Sequence, residues 1–169
     1  MKYVLFDIDS TLIEAHSQSN KGASRVMFKK VFGIDANEEM VPFRGMTENH
    51  LIRSVTEKIT GKKLDKIPQK AYDIWADTAK AALKKSPAKT MPGIGKLLQD
   101  LTKQKGISLA VVTGNSPKRA LYKLQSAKMV KYFTNKKGEV EGSFGSNADN
   151  REELILNAKK KYLKKLTIK

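Results

Sequence analysis

The strongest constraint on the fold is a short apolar segment that ends in two aspartates. The segment reads YVLFDID, and residues 2–8 are typical of a buried β-strand. Side chains alternate between the faces of a strand, so Asp7 and Asp9 point the same way if the strand continues through them. Two adjacent carboxylates repel each other and resist burial. We therefore expect either a cation between them or a proton on one of them, and both arrangements indicate a chemical site.

Size and composition restrict the class of protein. The chain has 169 residues, of which 40% are hydrophobic, and this suits one domain or a small core with an inserted subdomain. The absence of cysteine excludes disulfides, thiolate nucleophiles and thiolate-bound metals. Asp7 and Asp9 interrupt the first apolar run too early for a signal peptide, and no apolar stretch approaches the roughly 18 residues of a membrane span. We expect a cytoplasmic protein that does not contact a membrane.

The net charge of +16 raises the question of nucleic-acid binding. Only 5 of the 33 basic residues are arginine, which is the side chain best suited to bidentate contacts with bases and phosphates. The lysines are spread over predicted helix faces with few aromatic residues between them. This pattern favours a lysine-rich solvated surface over a nucleic-acid interface.

The order of the predicted elements changes near residue 88. Between residues 16 and 87 the pattern predicts helices and loops alone, with one helix that ends at Gly33, one that runs from an N-cap at Thr47 to Gly61, and one around Trp75. Helices and apolar strands alternate after that region. They are a helix from Pro92, a strand in ISLAVVTGN, a helix from Ser116, a strand around residues 139–145 and a helix from near Asp149.

This order predicts an α/β fold with an insertion. We expect a Rossmann-like parallel sheet between two helical layers, interrupted by an all-helical cap. The three-layer core comprises residues 1–15 and 88–169, and the cap comprises residues 16–87. The stripe of apolar residues around Trp75 is interpreted as part of the cap core.

Ligands bind at the carboxyl ends of the strands in sheets of this kind. Asp7 and Asp9 lie at one such end, and Thr113, Gly114 and Asn115 lie at another. The two polar clusters are about 100 residues apart in sequence, but the predicted topology brings them to one crevice.

The segment FDIDSTLI resembles the first motif of the haloacid dehalogenase superfamily in its phosphatase-type members, which is Asp-x-Asp-x-Thr after an apolar strand. Every fixed position matches, with Ser10 where glycine is commoner. LAVVTGN resembles the second motif, a strand that ends in Thr113. The helical insertion lies where members with a helical cap, such as phosphoglycolate phosphatase and β-phosphoglucomutase relatives, carry that cap.

The resemblance implies a mechanism for phosphoryl transfer. Asp7 would be the nucleophile that forms an aspartyl phosphate, and Asp9 the general acid and base. Thr113 would offer its hydroxyl, and the loop through Gly114 and Asn115 its backbone N–H groups, to the transferring oxygens. Mg²⁺ held by Asp7 and Asp9 would resolve the repulsion between the carboxylates.

The third motif and the cap contacts are less clearly defined in the sequence. The family requires one Lys or Arg near the nucleophile, and GSFGSNADNREEL resembles the matching segment of related phosphatases, which indicates Arg151. An ordinary residue in the first turn of a helix is the alternative, with Lys136 and Lys137 as further candidates. RGMTENH resembles the cap loop that faces the core, so Arg44 and Thr47 are candidate substrate contacts. A helix N-cap and its neighbour are the alternative there.

The acidic fourth motif of the family has no match. The chain stops at KKLTIK, where a further strand would begin, so we expect a core that is incomplete at its C-terminus. Truncation is the favoured explanation, and replacement by a partner or another acid such as Asp149 is the alternative. Activity of this chain alone is therefore in question.

The resulting prediction is a Mg²⁺-dependent phosphatase that acts on a small phosphorylated metabolite. A phosphomutase shares the same motifs and stays open. A non-catalytic remnant or a basic nucleic-acid-binding module is the alternative from a different class. The sequence indicates neither the substrate nor the oligomeric state.

Overall fold

The computed structural model of the chain describes residues 2–14 and 17–167. Within these ranges the chain forms three strands, six α-helices and three short 3₁₀ turns. The elements are β1 (Lys2–Phe6), α1 (Ser17–Phe32), α2 (Glu48–Thr60), α3 (Gln69–Lys85), α4 (Ile94–Lys103), β2 (Ile107–Thr113), α5 (Pro117–Ser126), β3 (Gly142–Phe144) and α6 (Arg151–Thr167). None of the helices in the described ranges combines the length and apolar character that crossing a membrane requires.

The three strands form one parallel sheet in the order β1-β2-β3. β1 pairs along its length with the first five residues of β2, and β3 pairs with the last three. Because parallel neighbours require crossover connections, helices cover the sheet. The predicted parallel α/β architecture is confirmed.

Helices on both faces of the sheet complete three layers. On one face, Leu109 and Val111 of β2 pack in a cluster with Leu98 of α4 and Leu124 of α5. On the other face, the cluster includes Ala110 of β2 and residues of α6. β2 is therefore covered on both sides, which explains its continuous apolar sequence.

The first strand is shorter and more exposed than its apolar sequence predicts. β1 ends at Phe6, and the side chain of Leu5 is 40% exposed because β1 is paired on one side only by the described strands. After β1 the chain turns, and the amides of Leu12 and Ile13 donate to the carbonyl of Ile8. The expectation of a buried strand through residues 2–8 was therefore wrong, and the two aspartates follow the strand instead of lying within it.

The helices α1, α2 and α3 pack around an apolar cluster of their own, which includes Phe28, Ile52 and Trp75. No strand is found in the described part of this region, residues 17–87, as predicted. Leu83 near the end of α3 packs into the cluster of the sheet instead. The boundary predicted between residues 15 and 16 lies outside the described residues, and the division into core and cap stays a prediction.

Hydrogen bonds to backbone carbonyls hold the helical region against the carboxyl ends of the strands. The amide of Glu48 donates to the carbonyl of Gly114 at 2.8 Å, and Nε of Arg151 donates to the carbonyl of Gly45 at 2.9 Å. Gly114 is required by this approach, since a Cβ there would lie 2.6 Å from the carbonyl oxygen of Met46. The helical region therefore closes over the crevice that the topology predicts.

Candidate active site

A cavity of about 340 Å³ lies between the carboxyl ends of the strands and the helical region. Its walls include residues of the loops that follow β1 and β2, residues of α5, and the first residue of α6. Six of the eight predicted site residues line it, namely Asp7, Asp9, Arg44, Gly114, Asn115 and Arg151.

Asp7 is held by one backbone and one side-chain donor. Its Oδ1 accepts from the amide of Ile8 at 2.8 Å, and its Oδ2 accepts from Nη1 of Arg151 at 2.9 Å. Arg151 begins α6, so the helix places its guanidinium beside the carboxylate from 144 residues away in sequence. Lys136 and Lys137, the other candidates for this position, are exposed and do not line the cavity.

Asp9 is paired with a buried lysine that the sequence reasoning missed. Nζ of Lys123 donates to both carboxylate oxygens, at 2.7 and 2.6 Å, and to Oδ1 of Asn115 at 2.8 Å. Nδ2 of Asn115 also donates to Oδ2 of Asp9 at 2.8 Å. Lys123 is only 4% exposed, so the three groups form a compact charged network in the cavity wall.

The network lowers the pKa of Asp9. Burial alone would raise it, but the positive charge of Lys123 and the hydrogen bonds from Asn115 and Lys123 outweigh burial and lower the pKa from 3.8 to about 2. Asp9 is therefore a carboxylate at neutral pH in the ligand-free chain.

This pKa shift predicts an acid-labile contribution to stability. Between the ordinary value of 3.8 and the native value of about 2, the native state binds fewer protons than the unfolded state. The contribution is thus complete above pH 3.8 and is lost as the pH falls through about 2. In urea titrations we expect it to be about 1–2 kcal/mol after solvent screening.

Asp9→Asn should lack this part of the pH profile, and Asp100→Asn on the exposed side of α4 should retain it. Parallel profiles for the parent chain and Asp9→Asn would contradict the assignment.

The second polar cluster reaches the cavity only in part. Gly114 and Asn115 line it, but Thr113 does not. Thr113 is fully buried, and its hydroxyl accepts from Nδ2 of Asn115 at 2.7 Å and from the Asn115 amide at 3.3 Å. In the structure Thr113 therefore orients Asn115, and the predicted contact of its hydroxyl with substrate stays a prediction.

The two predicted cap contacts differ in their placement. Arg44 lines the cavity from an exposed loop. Thr47 is fully buried, does not line the cavity, and caps α2 by accepting the amide of His50 at 3.2 Å. Of the two interpretations of Thr47, the structure therefore favours the N-cap.

Four buried residues form a further part of the cavity wall, which we call the inner wall: Glu38, Glu48, Trp75 and Arg119. Nη1 of Arg119 lies 2.7 Å from Oε1 of Glu48, and its guanidinium carbon lies 4.3 Å from the centre of the Trp75 ring. Glu38 accepts from the hydroxyl of Ser24, and burial raises the pKa of Glu38. Sequence reasoning had placed Trp75 only in an apolar core and had overlooked the other three.

The buried ion pair of the inner wall predicts a large loss of stability when it is broken. Arg119→Met would leave the Glu48 carboxylate buried without its cation, so the free energy of unfolding should fall by about 3–5 kcal/mol. Lys118→Met is the matched control. Lys118 directly precedes Arg119, and its ammonium pairs with Asp77 at a partly exposed position. That control should cost about 1 kcal/mol or less. Equal losses in denaturant titrations would contradict the prediction.

The carboxylate of Asp7 and the backbone carbonyl of Asp9 offer oxygen donors that fit a hard divalent cation, whereas both carboxylate oxygens of Asp9 accept from Lys123. Mg²⁺ prefers oxygen ligands and is commonly held by one or two carboxylates, with waters and phosphate oxygens at its other positions. In residues 2–14 and 17–167 no group of three or more His, Cys, Asp or Glu could hold a metal. Asp149, the predicted replacement acid, bonds to Asn49 at 2.8 Å and does not line the cavity. Asp7 and Asp9 thus offer one carboxylate and one carbonyl oxygen to the ion.

The comparisons with known proteins agree with this geometry. The model of the haloacid dehalogenase-like hydrolase family matches residues 4–141, which include Asp7, Asp9 and the loop after β2. No curated protein matches the chain in sequence.

Two solved structures of CbbY from Rhodobacter sphaeroides are similar in fold. One is a variant in complex with xylulose-(1,5)bisphosphate, with 21% identity and a TM-score of 0.55, and the other is a complex with phosphate, with 22% identity and the same TM-score. In both comparisons 78% of this chain aligns with 60% of CbbY, so the chain spans about 60% of that protein's length. At this identity the likeness to CbbY shows the fold alone. Membership of a family follows from the match to the family model, together with the motifs. The chain belongs to the haloacid dehalogenase-like hydrolases.

Proposed function

We propose that the chain is a phosphatase that hydrolyses the phosphate monoester of a small metabolite. The observation that carries this proposal is the contact between Asp7 and Arg151 at 2.9 Å, with Asp9 beside them in one cavity. A carboxylate nucleophile, a second carboxylate and a fixed cation are the groups that phosphoryl transfer through an enzyme ester requires.

The reaction would proceed in two steps on these residues. In the first, a carboxylate oxygen of Asp7 attacks phosphorus, the bond to the ester oxygen breaks, and protonated Asp9 donates its proton to the leaving alcohol. In the second, Asp9 takes a proton from water as the water oxygen attacks phosphorus, and the Asp7 carboxylate is released with inorganic phosphate. Arg151 holds Asp7 in position and offsets the negative charge of the phosphoryl oxygens.

Charge balance in the cavity suits Asp9 for both steps. In the ligand-free chain its pKa of about 2 keeps it ionised, which favours the role of base. A phosphate dianion beside it would raise its proton affinity and so favour the role of acid. Mg²⁺ is the cofactor that we propose, held by the carboxylate of Asp7 and the backbone carbonyl of Asp9, where it would supply positive charge beside Asp7 and polarise the phosphoryl oxygens.

A small metabolite is the proposed partner because of the size of the cavity. Its volume of about 340 Å³ is close to the lower end of the range for ligand pockets. We attribute the net charge of +16 to a solvated surface and not to a nucleic-acid interface. The cysteine-free composition is compatible with the cytoplasmic location that we propose.

The test is release of 4-nitrophenol from 4-nitrophenyl phosphate by the purified chain, with Mg²⁺ and with EDTA. We expect hydrolysis that depends on Mg²⁺ and on Asp7. Absence of hydrolysis, or hydrolysis that persists in Asp7→Asn, would overturn the proposal.

Arg151→Ala should weaken the binding of inorganic phosphate. Loss of a charge-assisted hydrogen-bond donor predicts an increase of about tenfold or more in the dissociation constant measured by calorimetry. Arg25→Ala is the matched control, because Arg25 pairs with Asp35 at a well-exposed site and neither residue lines the cavity. An unchanged affinity in Arg151→Ala would remove Arg151 from the phosphate site.

A further inference from the structure

Arg151 is held by the helical region as well as by Asp7. Its Nε donates to the carbonyl of Gly45 at 2.9 Å, and its Nη1 donates to Asp7 at 2.9 Å. A guanidinium has five N–H groups, so others stay available for phosphoryl oxygens. The side chain of Arg151 is 42% exposed, and fixing a long, partly exposed side chain costs conformational entropy. The position of Arg151 therefore depends on the groups that anchor it.

The backbone of Arg151 is fixed by reciprocal hydrogen bonds at the start of α6. The amide of Glu153 donates to Oδ1 of Asn150 at 2.8 Å, and Oε2 of Glu153 accepts from the amide of Asp149 at 2.8 Å. These bonds have the character of a capping box, and they close the turn that carries Arg151. Asp149 and Arg151 thus belong to one hydrogen-bonded turn.

Asp149 ties this turn to α2. Its Oδ1 accepts from Nδ2 of Asn49 at 2.8 Å, across 100 residues of sequence, and lies 3.5 Å from Nε of Arg53. Arg53 is itself held, because its guanidinium donates to the backbone carbonyls of Leu64 and Asp65. The carboxylate of Asp149 is therefore anchored on a fixed part of the helical region.

Tyr72 of α3 orients the amide of Asn49. The Tyr72 hydroxyl donates to Oδ1 of Asn49, which leaves Nδ2 of Asn49 to donate to Asp149. Burial raises the pKa of Tyr72 to about 12, so its hydroxyl keeps the proton that it donates at neutral pH. The hydrogen bonds thus run in one direction from Tyr72 to Asp149, and none of these three residues lines the cavity.

We propose that Asp149 is a positioning residue for Arg151, and that Asn49 holds Asp149 in place from α2. This inference rests on the proposed phosphatase function, in which Arg151 binds the phosphoryl group. Asp149 fixes the turn while the Gly45 carbonyl fixes the guanidinium. Asp149 and Asn49 then raise the affinity for phosphate without contacting it, because Arg151 is already in place when phosphate binds.

The sign of the effect distinguishes positioning from electrostatics. A carboxylate near an anion site repels the anion, so the loss of Asp149 would tighten phosphate binding if charge alone acted. Positioning predicts the opposite. Asp149→Ala releases the turn from α2, and the dissociation constant of inorganic phosphate, measured by calorimetry in Mg²⁺, should rise about fivefold.

Two variants serve as controls for this measurement. Asp149→Asn keeps an oxygen that can accept from Asn49, so it should bind phosphate within about twofold of the parent chain. Glu152→Ala removes an exposed acid beside Arg151 in the first turn of α6 and should not weaken phosphate binding. Equal losses of affinity in Asp149→Ala and Glu152→Ala would overturn the inference.

A double-mutant cycle tests whether Asp149 acts through Arg151. In the Arg151→Ala background, Asp149→Ala should not change the dissociation constant further, because the residue that it positions is absent. Asn49→Ala should behave in the same way, with a loss of affinity in the parent chain and none in Arg151→Ala. An undiminished fivefold loss in the Arg151→Ala background would indicate a general distortion of the site and overturn the inference.

The outcomes also separate the inference from the proposed function. If the parent chain binds phosphate and Asp149→Ala binds it equally well or more tightly, the inference is overturned while the phosphate site stands. If the parent chain neither binds phosphate nor hydrolyses 4-nitrophenyl phosphate, the proposed function fails and the inference fails with it.

Discussion

Asp7→Asn should reduce phosphate release to the background rate while the chain remains folded. The amide has nearly the shape of the carboxylate, and its oxygen can still accept from the Ile8 amide or from Arg151, which hold Asp7 at 2.8 and 2.9 Å. The neutral amide cannot displace an alcohol from phosphorus, so the first step is lost. Turnover of 4-nitrophenyl phosphate and a thermal unfolding curve of the same preparation provide the measurement.

A matched control separates loss of the nucleophile from loss of charge. Asp100→Asn removes a carboxylate that pairs with Lys96 on the exposed side of α4 and does not line the cavity. It should keep the parent rate. A fluoride analogue of phosphate that binds beside Asp7 in the parent chain would support the role. Turnover by Asp7→Asn at more than a few per cent of the parent rate would contradict it.

The fold and the centre of the site could be predicted because they depend on short segments. The apolar runs before Asp7 and Thr113 identify two parallel strands, and the carboxyl ends of such strands meet at one edge of a sheet. This reasoning brought Asp9 and Asn115 together, and the structure gives a hydrogen bond of 2.8 Å between them. The prediction that both aspartates lie in one crevice is correct although β1 ends at Phe6, because the turn after β1 still directs both of them into the cavity.

The cations of α5 could not be predicted from local pattern. Lys123 lies in a chain rich in exposed lysines, and its burial depends on Asp9, which is 114 residues away. One local signal was available. Asn115, Arg119 and Lys123 follow the end of β2 at steps of four, which places them along one face of the helix that begins there.

The inner wall was missed because it depends on closure of the helical region. Trp75 has the spacing of a core residue in α3, and it does pack in the core of that region. Its second role follows from the approach of Arg119, which belongs to a helix of the sheet layers. Such a contact between separate parts of the chain leaves no periodic signal in either segment. Thr47 is the opposite case. Its role as the N-cap of α2 depends only on neighbouring residues, so the sequence could indicate it as one of two alternatives.

Asp9→Asn should lower turnover by about 10²–10⁴-fold, the usual contribution of a general acid and base. The same substitution also removes the anionic partner of Lys123, whose ammonium lies 2.6 and 2.7 Å from the carboxylate oxygens and is 4% exposed. A loss of activity in the single variant could therefore come from chemistry or from an uncompensated buried charge. The stability of the single variant should fall for the second reason.

The double variant Asp9→Asn/Lys123→Met separates these two causes. Methionine is of similar length and carries no charge, so it removes the cost of the unpaired ammonium and should restore much of the free energy of unfolding. It cannot restore a proton donor to the leaving oxygen or a base for the attacking water. We therefore expect the double variant to be as stable as the parent within about 1 kcal/mol and to remain as slow as Asp9→Asn in phosphate release. Recovery of turnover together with stability would show that Asp9 serves only to neutralise Lys123, and the acid–base role would then have to be assigned to another group in the cavity.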